Sequence, residues 1–221
     1  MFVELLIGIH PGDLDCLRHT FWNMYGYSLE SAILEEHLKD NFDCRPKRET
    51  PLRFAIKTAL AIRRPPPETP VDLGQVRSDV ITIRRAFERG HLYYEMLLEI
   101  LLRSSDSHIA QIASHYLTTV HVPLDIEIDA SAHKDVTKAI AIQALRSATN
   151  VVYRDVMLLK DTGHKISSDK VTLGIRVCRM HWYAHWPEIK AEFKRATKRG
   201  LDQKRLEDGL FGELIASMAE E

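Results

Sequence analysis

The segment richest in side chains that could do chemistry is CRMHWYAHW, residues 178–186. Cys178, His181 and His185 follow one another at intervals of three and four residues, which brings them to one face of a helix. A thiolate and two imidazoles are ligands that Zn²⁺ prefers, so this face is a candidate zinc site. Trp182 stands where a hydrolytic HExxH motif has its glutamate, which disfavours a metalloprotease. The alternative interpretation is a helix junction with tryptophans packed on a core or placed at a lipid interface.

Other catalytic patterns are missing from the sequence. It contains no phosphate-binding glycine loop, dinucleotide fingerprint, GxSxG elbow or catalytic Cys/His signature, so we expect a protein that is not an enzyme. Thirty Lys+Arg against 31 Asp+Glu give a net charge of -1, and this balance lacks the basic field of a dedicated nucleic-acid binder. Nucleic-acid partners are therefore not expected.

Cysteine usage and hydropathy predict the compartment. Cys16, Cys44 and Cys178 are too few and too scattered for a disulfide framework, which favours a reducing, cytoplasmic environment. No apolar run approaches the roughly 20 residues that a membrane span requires. Any membrane contact is therefore expected to be peripheral.

Apolar residues recur mainly at helical spacing, in short segments separated by Gly, Pro, Ser and Asp. Residues 122–128, VPLDIEI, alternate apolar and polar side chains like a strand. Pro123 in a first helical turn explains that pattern equally well, and a lone strand would have no partner. The sequence predicts an all-α protein.

Three helical segments align by their apolar positions without gaps, which indicates an internal repeat. The four aligned columns hold Leu14, Ile109 and Trp186; Leu17, Ile112 and Ile189; Phe21, Tyr116 and Phe193; and Leu29, Leu124 and Leu201. Chance remains an alternative, because any amphipathic helix has this spacing.

Each complete copy is predicted to have five helices. The helices of the second copy are expected at 74–89, 92–103, 106–118, 122–130 and 134–147, and those of the third at 148–162, 168–180, 184–197, 200–207 and 208–219. The domains are then 1–63, a partial repeat with an insertion at 37–50; 64–73, a proline-rich linker; and the repeats 74–147 and 148–221. The first copy is expected to begin inside its second helix, near Phe2, with the preceding part of the array absent.

This organisation resembles the annexin repeat. The resemblance rests on a period of about 70 to 80 residues, a Tyr-Gly-x-Ser-Leu-x-x-x-Ile turn, and an apolar helix ending in Arg-Ser. The residues that carry it are 12–33, 96–116, 134–145, 168–179 and 187–195. It implies an all-α, annexin-like array of five-helix repeats that forms a curved helical slab. It also implies a cytoplasmic protein that binds acidic phospholipid peripherally in a calcium-dependent manner.

In annexins, loop carbonyls and a distant carboxylate bind Ca²⁺ and leave coordination positions that lipid phosphate can fill. The family's loop reads Met-Lys-Gly-x-Gly-Thr, with an acidic residue about 40 positions later. Residues 86–91, AFERGH, retain only the second glycine. The resemblance gives as carbonyl ligands Ala86, Glu88 and Gly90, and puts Ser131 at the acidic position with Asp129 as its substitute.

The third copy retains Gly163, with Glu207 or Asp208 as its distant acid. Lipid contacts are expected from residues in or beside these loops, namely Arg89, His91, His164 and Lys165. Because no copy has the full motif, calcium dependence is expected to be weak or lost. The alternative function is a helical repeat scaffold for protein–protein contacts without lipid binding.

Overall fold

The computed structural model describes residues 2–8, 11–37, 50–61, 64–66, 68–90, 93–164, 170–198, 201, 213 and 217–218. These residues form helices and connecting turns and contain no β-strand, which confirms the all-α prediction. Within the described part of the chain, no helix is long and apolar enough to cross a bilayer. The chain divides into two compact units, residues 1–149 and 150–221.

The first unit begins with α1 (Phe2–Leu6), α2 (Pro11–Tyr25) and α3 (Leu29–Ser31), which continues into a π-helical segment (Ala32–His37). It goes on with α4 (Pro51–Ala61), α5 (Leu73–Arg89), α6 (Tyr94–Arg103), α7 (Asp106–Val120), α8 (Leu124–Ala130) and α9 (Asp135–Thr149). The second unit contains α10 (Val151–His164), α11 (Lys170–His181) and α12 (Trp186–Thr197).

Helix α5 illustrates how local sequence sets an element. Asp72 is its N-cap, and the carboxylate accepts hydrogen bonds from the backbone N–H groups of Gly74 and Gln75. Val76, Val80 and Ile83 recur at helical spacing and are buried. The helix ends at Gly90, whose φ of 76° is a conformation that only glycine adopts without strain.

Helix α8 covers most of the segment whose alternation looked like a strand. Pro123 precedes it as the N-cap, and Leu124 and Ile128, four residues apart, are both buried. The helical interpretation of this segment is therefore confirmed. Proline is tolerated at a helix start because it has no backbone N–H to donate. The N–H groups of the first helical turn have no intrahelical acceptor in any case.

The core of the first unit lies among α5, α6, α7 and α9, which pack against one another. Helix α6 is enclosed, because Leu97, Leu98 and Leu101 have no exposed surface. In the second unit α10 packs against both α11 and α12, and the core there includes Leu159, Ile189 and Phe193.

The aligned apolar columns correspond to buried positions. Every residue in the four columns is buried except Phe21, which is partly buried, and Leu17, whose exposed fraction is 37%. Burial at the matching positions of α7 and α12 agrees with the alignment, whereas on α2 only Leu14 is buried. The division of the chain into repeats stays a prediction.

Candidate functional site

The turn between α5 and α6 is the segment that the sequence marked as a calcium loop. The N–H of Gly90 donates to the carbonyls of Ala86 at 3.1 Å and Phe87 at 3.2 Å, and so closes the last turn of α5. The carbonyl of Gly90 accepts from the N–H of Tyr93 at 3.1 Å. Two predicted carbonyl ligands, those of Ala86 and Gly90, thus already accept hydrogen bonds, and each retains a second lone pair.

This turn lies against the connection between α8 and α9. A calcium site made of the loop carbonyls and a distant carboxylate near residue 130 requires that arrangement. A Cβ atom placed on Gly90 would lie 3.9 Å from the Cβ of Ala132. The ring of His133, which is buried, contacts Phe87 edge to face at 6.0 Å between centroids. The structure therefore brings residues 86–90 next to the segment that begins at Asp129. We call the described residues of these two adjoining segments, 86–90 with Tyr93 and 129–138, the α5–α8 loop surface.

The charges on the α5–α8 loop surface are mixed. The guanidinium carbon of Arg89 lies 5.1 Å from the centroid of the exposed Tyr93 ring, a cation–π contact. The ammonium of Lys138 donates to the backbone carbonyl of Asp129 at 2.6 Å. Glu88, a predicted carbonyl ligand, and Asp129, the predicted substitute for the distant carboxylate, are both exposed. Each lies beside a cation, since Glu88 precedes Arg89 and the carbonyl of Asp129 accepts from Lys138.

These residues do not fit the calcium site that the resemblance describes. Ser131 occupies the position of the distant carboxylate, and its hydroxyl donates to the carbonyl of Ile128 at 2.7 Å. Arg89 adds a cation beside the loop where Ca²⁺ would need further oxygen ligands. Across the residues that the structure describes, no group of three His, Cys, Asp or Glu side chains could hold a metal ion.

The predicted site residues of the third copy lie only partly inside the described chain. Gly163 and His164 form the C-terminal end of α10, which runs two residues beyond its predicted end at 162. Lys165 and Asp208 lie outside the described residues, as does His91 of the second copy.

The zinc interpretation of residues 178–186 is wrong. His185 lies within a turn before α12, where its Nε2 is 3.4 Å from Oδ2 of the buried Asp155. Its ring also stacks on Tyr183, with centroids 5.1 Å apart. A single helix does not continue from Cys178 to His185, because α11 ends at His181. The helical spacing that would align the three side chains is therefore broken.

Sequence reasoning missed three residues that the structure brings to these places. Tyr93 supports Arg89, Lys138 bonds to Asp129, and Met218 contacts Cys178. The proximity of an aromatic residue and a cation to the loop was visible in the sequence. The contact of Met218 with a cysteine 40 residues earlier had no local signal.

The fold of this chain is similar to the folds of several solved structures, although its sequence matches none of the known families. No protein-family model matches the sequence, and no curated protein sequence matches it significantly. A mutant of annexin A8 superposes with a TM-score of 0.80 at 16% identity over 99% of this chain and 65% of that chain. Chicken annexin V gives a TM-score of 0.77 at 18% identity, covering 100% of this chain and 66% of that one. Calcium-bound alpha-14 giardin gives 0.75 at 14% identity, with 100% and 69% covered.

At these identities the similarity bears on the fold and not on the activity. The chain spans about two thirds of the length of these structures, 65% for annexin A8. The match extends over nearly the whole of this chain, including the α5–α8 loop surface. The fold expected from the resemblance is therefore confirmed: this protein has an annexin-like fold.

Proposed function

We propose that the protein associates peripherally with acidic phospholipid membranes through the α5–α8 loop surface, with weak or no dependence on calcium. It acts in this proposal as a cytoplasmic binding protein and not as an enzyme. The observation that carries the proposal is the contact of Phe87, near the end of α5, with His133 in the α8–α9 connection, in an annexin-like fold.

The side chains on this surface favour contact with an anionic leaflet. Arg89 is exposed and held over the Tyr93 ring, and Lys138 lies on the adjoining segment. Each cation near an anionic membrane surface contributes about 1 kcal/mol of attraction. Tyrosine is also suited to the interface, since its ring is apolar and its hydroxyl is polar.

The same side chains argue for a reduced role of calcium. An annexin site uses the ion to bridge an electroneutral protein and lipid phosphate. Here Ser131 replaces the carboxylate, and Arg89 supplies a fixed positive charge at the loop. A guanidinium can donate paired hydrogen bonds to a phosphate, so it takes over part of the attraction that the ion would provide.

Cosedimentation with vesicles tests this function. The full chain is mixed with phosphatidylserine-containing or pure phosphatidylcholine vesicles, in calcium or in chelator. The proposal expects sedimentation with the anionic vesicles in chelator, changed little by calcium and reduced by salt. Sedimentation only in calcium would contradict the proposed calcium independence.

A second candidate, a scaffold for protein–protein contacts, is favoured by the exposed face of α2 and the turn after it. Trp22, Met24, Tyr25 and Tyr27 expose large apolar side chains there. Clustered apolar exposure of this kind is typical of interaction surfaces. Failure of the protein to sediment with any vesicle under any of these conditions would favour the scaffold.

A further inference from the structure

A cavity of about 560 Å³ opens in the first unit where the proline-rich linker meets α5, α6 and the start of α7. Helix α5 contributes Gln75, Asp79 and Thr82 to its wall, and their helical spacing puts them on one face. The residues of α6 that line the cavity also share one face: Met96, Glu99, Ile100 and Arg103. None of the lining residues belongs to the α5–α8 loop surface, so this cavity is a separate feature.

A buried carboxylate lies in the wall of this cavity. Asp79 is only 8% exposed, and its Oδ1 accepts from the side-chain amide of Gln75 at 2.7 Å. Its Oδ2 lies 2.8 Å from Nε2 of His108, on α7. Because an ionised carboxylate only accepts, Nε2 carries a hydrogen and donates it. In the neutral ring the lone pair is then on Nδ1, which has no partner among the described residues and is not sealed from solvent.

The negative charge of Asp79 lacks a fixed counter-charge. The second unit contains a similar pair, Asp155 with His185, but there Arg154 also bonds to the carboxylate. In the described part of the chain, no lysine or arginine pairs with Asp79. A buried carboxylate is costly without a compensating cation, so a positive charge beside the His108 ring is favoured here.

The other charges around the cavity also favour a cation. Asp72, Asp79 and Glu99 line it against one arginine, Arg103, which pairs with Glu99 at 3.0 Å. This balance stays negative even when His108 is protonated, so an anionic ligand is repelled. A bare metal ion is not the occupant, because no group of three His, Cys, Asp or Glu side chains in the described chain could hold one.

Apolar side chains complete the lining. Met96 and Ile100 are partly buried and face the cavity, and Pro65 and Pro70 line it from the linker. Ligand sites of about 300 to 1,000 Å³ commonly combine apolar walls with a few polar groups that orient the ligand. We propose that this cavity binds a small organic amine, in which a primary ammonium is attached to an apolar body. The ammonium donates to Nδ1 of His108, and the apolar body contacts the methionine and the isoleucine.

Three probes of similar shape and different charge test this ligand class. The full chain, labelled with ¹⁵N, is titrated with 2-phenylethylamine, 2-phenylethanol or 3-phenylpropionate and followed by NMR. We expect the amine to shift the amide signals of the lining residues and the imidazole signals of His108. It should bind about tenfold more tightly than the alcohol, because a charged donor makes the stronger hydrogen bond. Equal affinities of amine and alcohol, or tighter binding of the carboxylate, would overturn the proposal.

Matched variants separate ligand binding from the structural role of the Asp79 pair. His108→Gln removes the ring acceptor but keeps an N–H that can donate to Asp79, and it should weaken amine binding about tenfold. His115→Gln is the control, because His115 lies on the same helix and does not line the cavity. Its affinity for the amine should equal that of the parent.

A second variant, Thr82→Phe, fills the cavity without changing its charge and should weaken amine binding about tenfold or more, since the lost contacts are those of the ligand's apolar body. Circular dichroism checks that each variant is folded. Amine binding that is equally tight in the parent, His108→Gln and Thr82→Phe would show that the amine binds elsewhere, which would also overturn the proposal.

Discussion

The guanidinium of Arg64 donates to the carboxylate of Asp106 at 2.7 Å and so ties the proline-rich linker to the start of α7. The same guanidinium donates through Nε to the carbonyl of Ser104 at 3.0 Å. Further along the linker, the hydroxyl of Ser107 donates to the carbonyl of Thr69 at 3.4 Å. The linker is therefore anchored to the junction between α6 and α7 at both ends.

Replacing Arg64 by alanine should destabilise the first unit by about 1 to 3 kcal/mol, because Ser104 and Asp106 lose a charged donor in a partly buried place. The side chain of Arg64 is only 15% exposed. Urea unfolding measures the change. Arg103→Ala is the control, since its pair with Glu99 is solvent-exposed and should contribute at most about 0.5 kcal/mol. Equal losses of stability in the two variants would show that the hydrogen bonds of Arg64 contribute no more than a solvent-exposed ion pair.

Asp155 is the most buried charged residue of the described chain, with no exposed surface. Arg154 donates to it through Nε at 2.8 Å, and its Nη2 lies 2.7 Å from the same oxygen. Asp155→Ala should cost about 3 to 5 kcal/mol, because the buried guanidinium loses its counter-charge. Thermal or urea unfolding reports the loss. Glu192→Ala, which removes an exposed partner of Arg195, should have little effect and is the control.

Burial raises the pKa of the Tyr116 phenol from 10.0 to about 12, with the Glu127 carboxylate adding to the shift and Arg84 opposing it. A raised pKa in the folded state means that the neutral phenol is favoured by folding. The stability it contributes is present below pH 10 and is lost as the pH rises toward 12. In Tyr116→Phe, the decrease in the free energy of unfolding as the pH rises toward 12 should be smaller by up to about 2 kcal/mol.

The measurement for Tyr116 is the free energy of unfolding as a function of pH. The parent should lose stability more steeply than Tyr116→Phe between pH 10 and 12, and the phenolate absorbance of Tyr116 should appear late in an alkaline titration. Tyr25→Phe is the control, because Tyr25 is exposed. Parallel curves for the parent and Tyr116→Phe would contradict the assignment.

Gly90 has φ 76° and ψ -163°, a combination that is essentially restricted to glycine. Gly90→Ala should therefore destabilise the protein by about 1 to 3 kcal/mol through backbone strain. The added methyl meets only Ala132, at an ordinary contact distance of 3.9 Å, so crowding is not the cause. A denaturation midpoint equal to that of the parent would indicate that this turn adopts another conformation in solution.

The helical class and most core positions were predictable from the sequence, because the spacing of apolar residues along an amphipathic helix determines which of its faces is buried. The exceptions are on α2, where Leu17 is exposed and Phe21 is only partly buried. The side-chain chemistry was less predictable. His185 turns to Asp155, and Cys178 finds Met218, through tertiary contacts that span 30 and 40 residues. No local pattern encodes such contacts, so the zinc interpretation failed while the annexin-like fold was confirmed.

The most direct test of the proposed lipid surface is the affinity for phosphatidylserine vesicles in chelator, measured for Arg89→Gln and Arg103→Gln. Both arginines are exposed, and Arg103 lies at the opposite end of α6 from Tyr93, about 14 Å along the helix axis. The account predicts that Arg89→Gln weakens binding about fivefold, the loss of one surface cation, and that Arg103→Gln leaves it unchanged. Equal affinities of the two variants and the parent would contradict it.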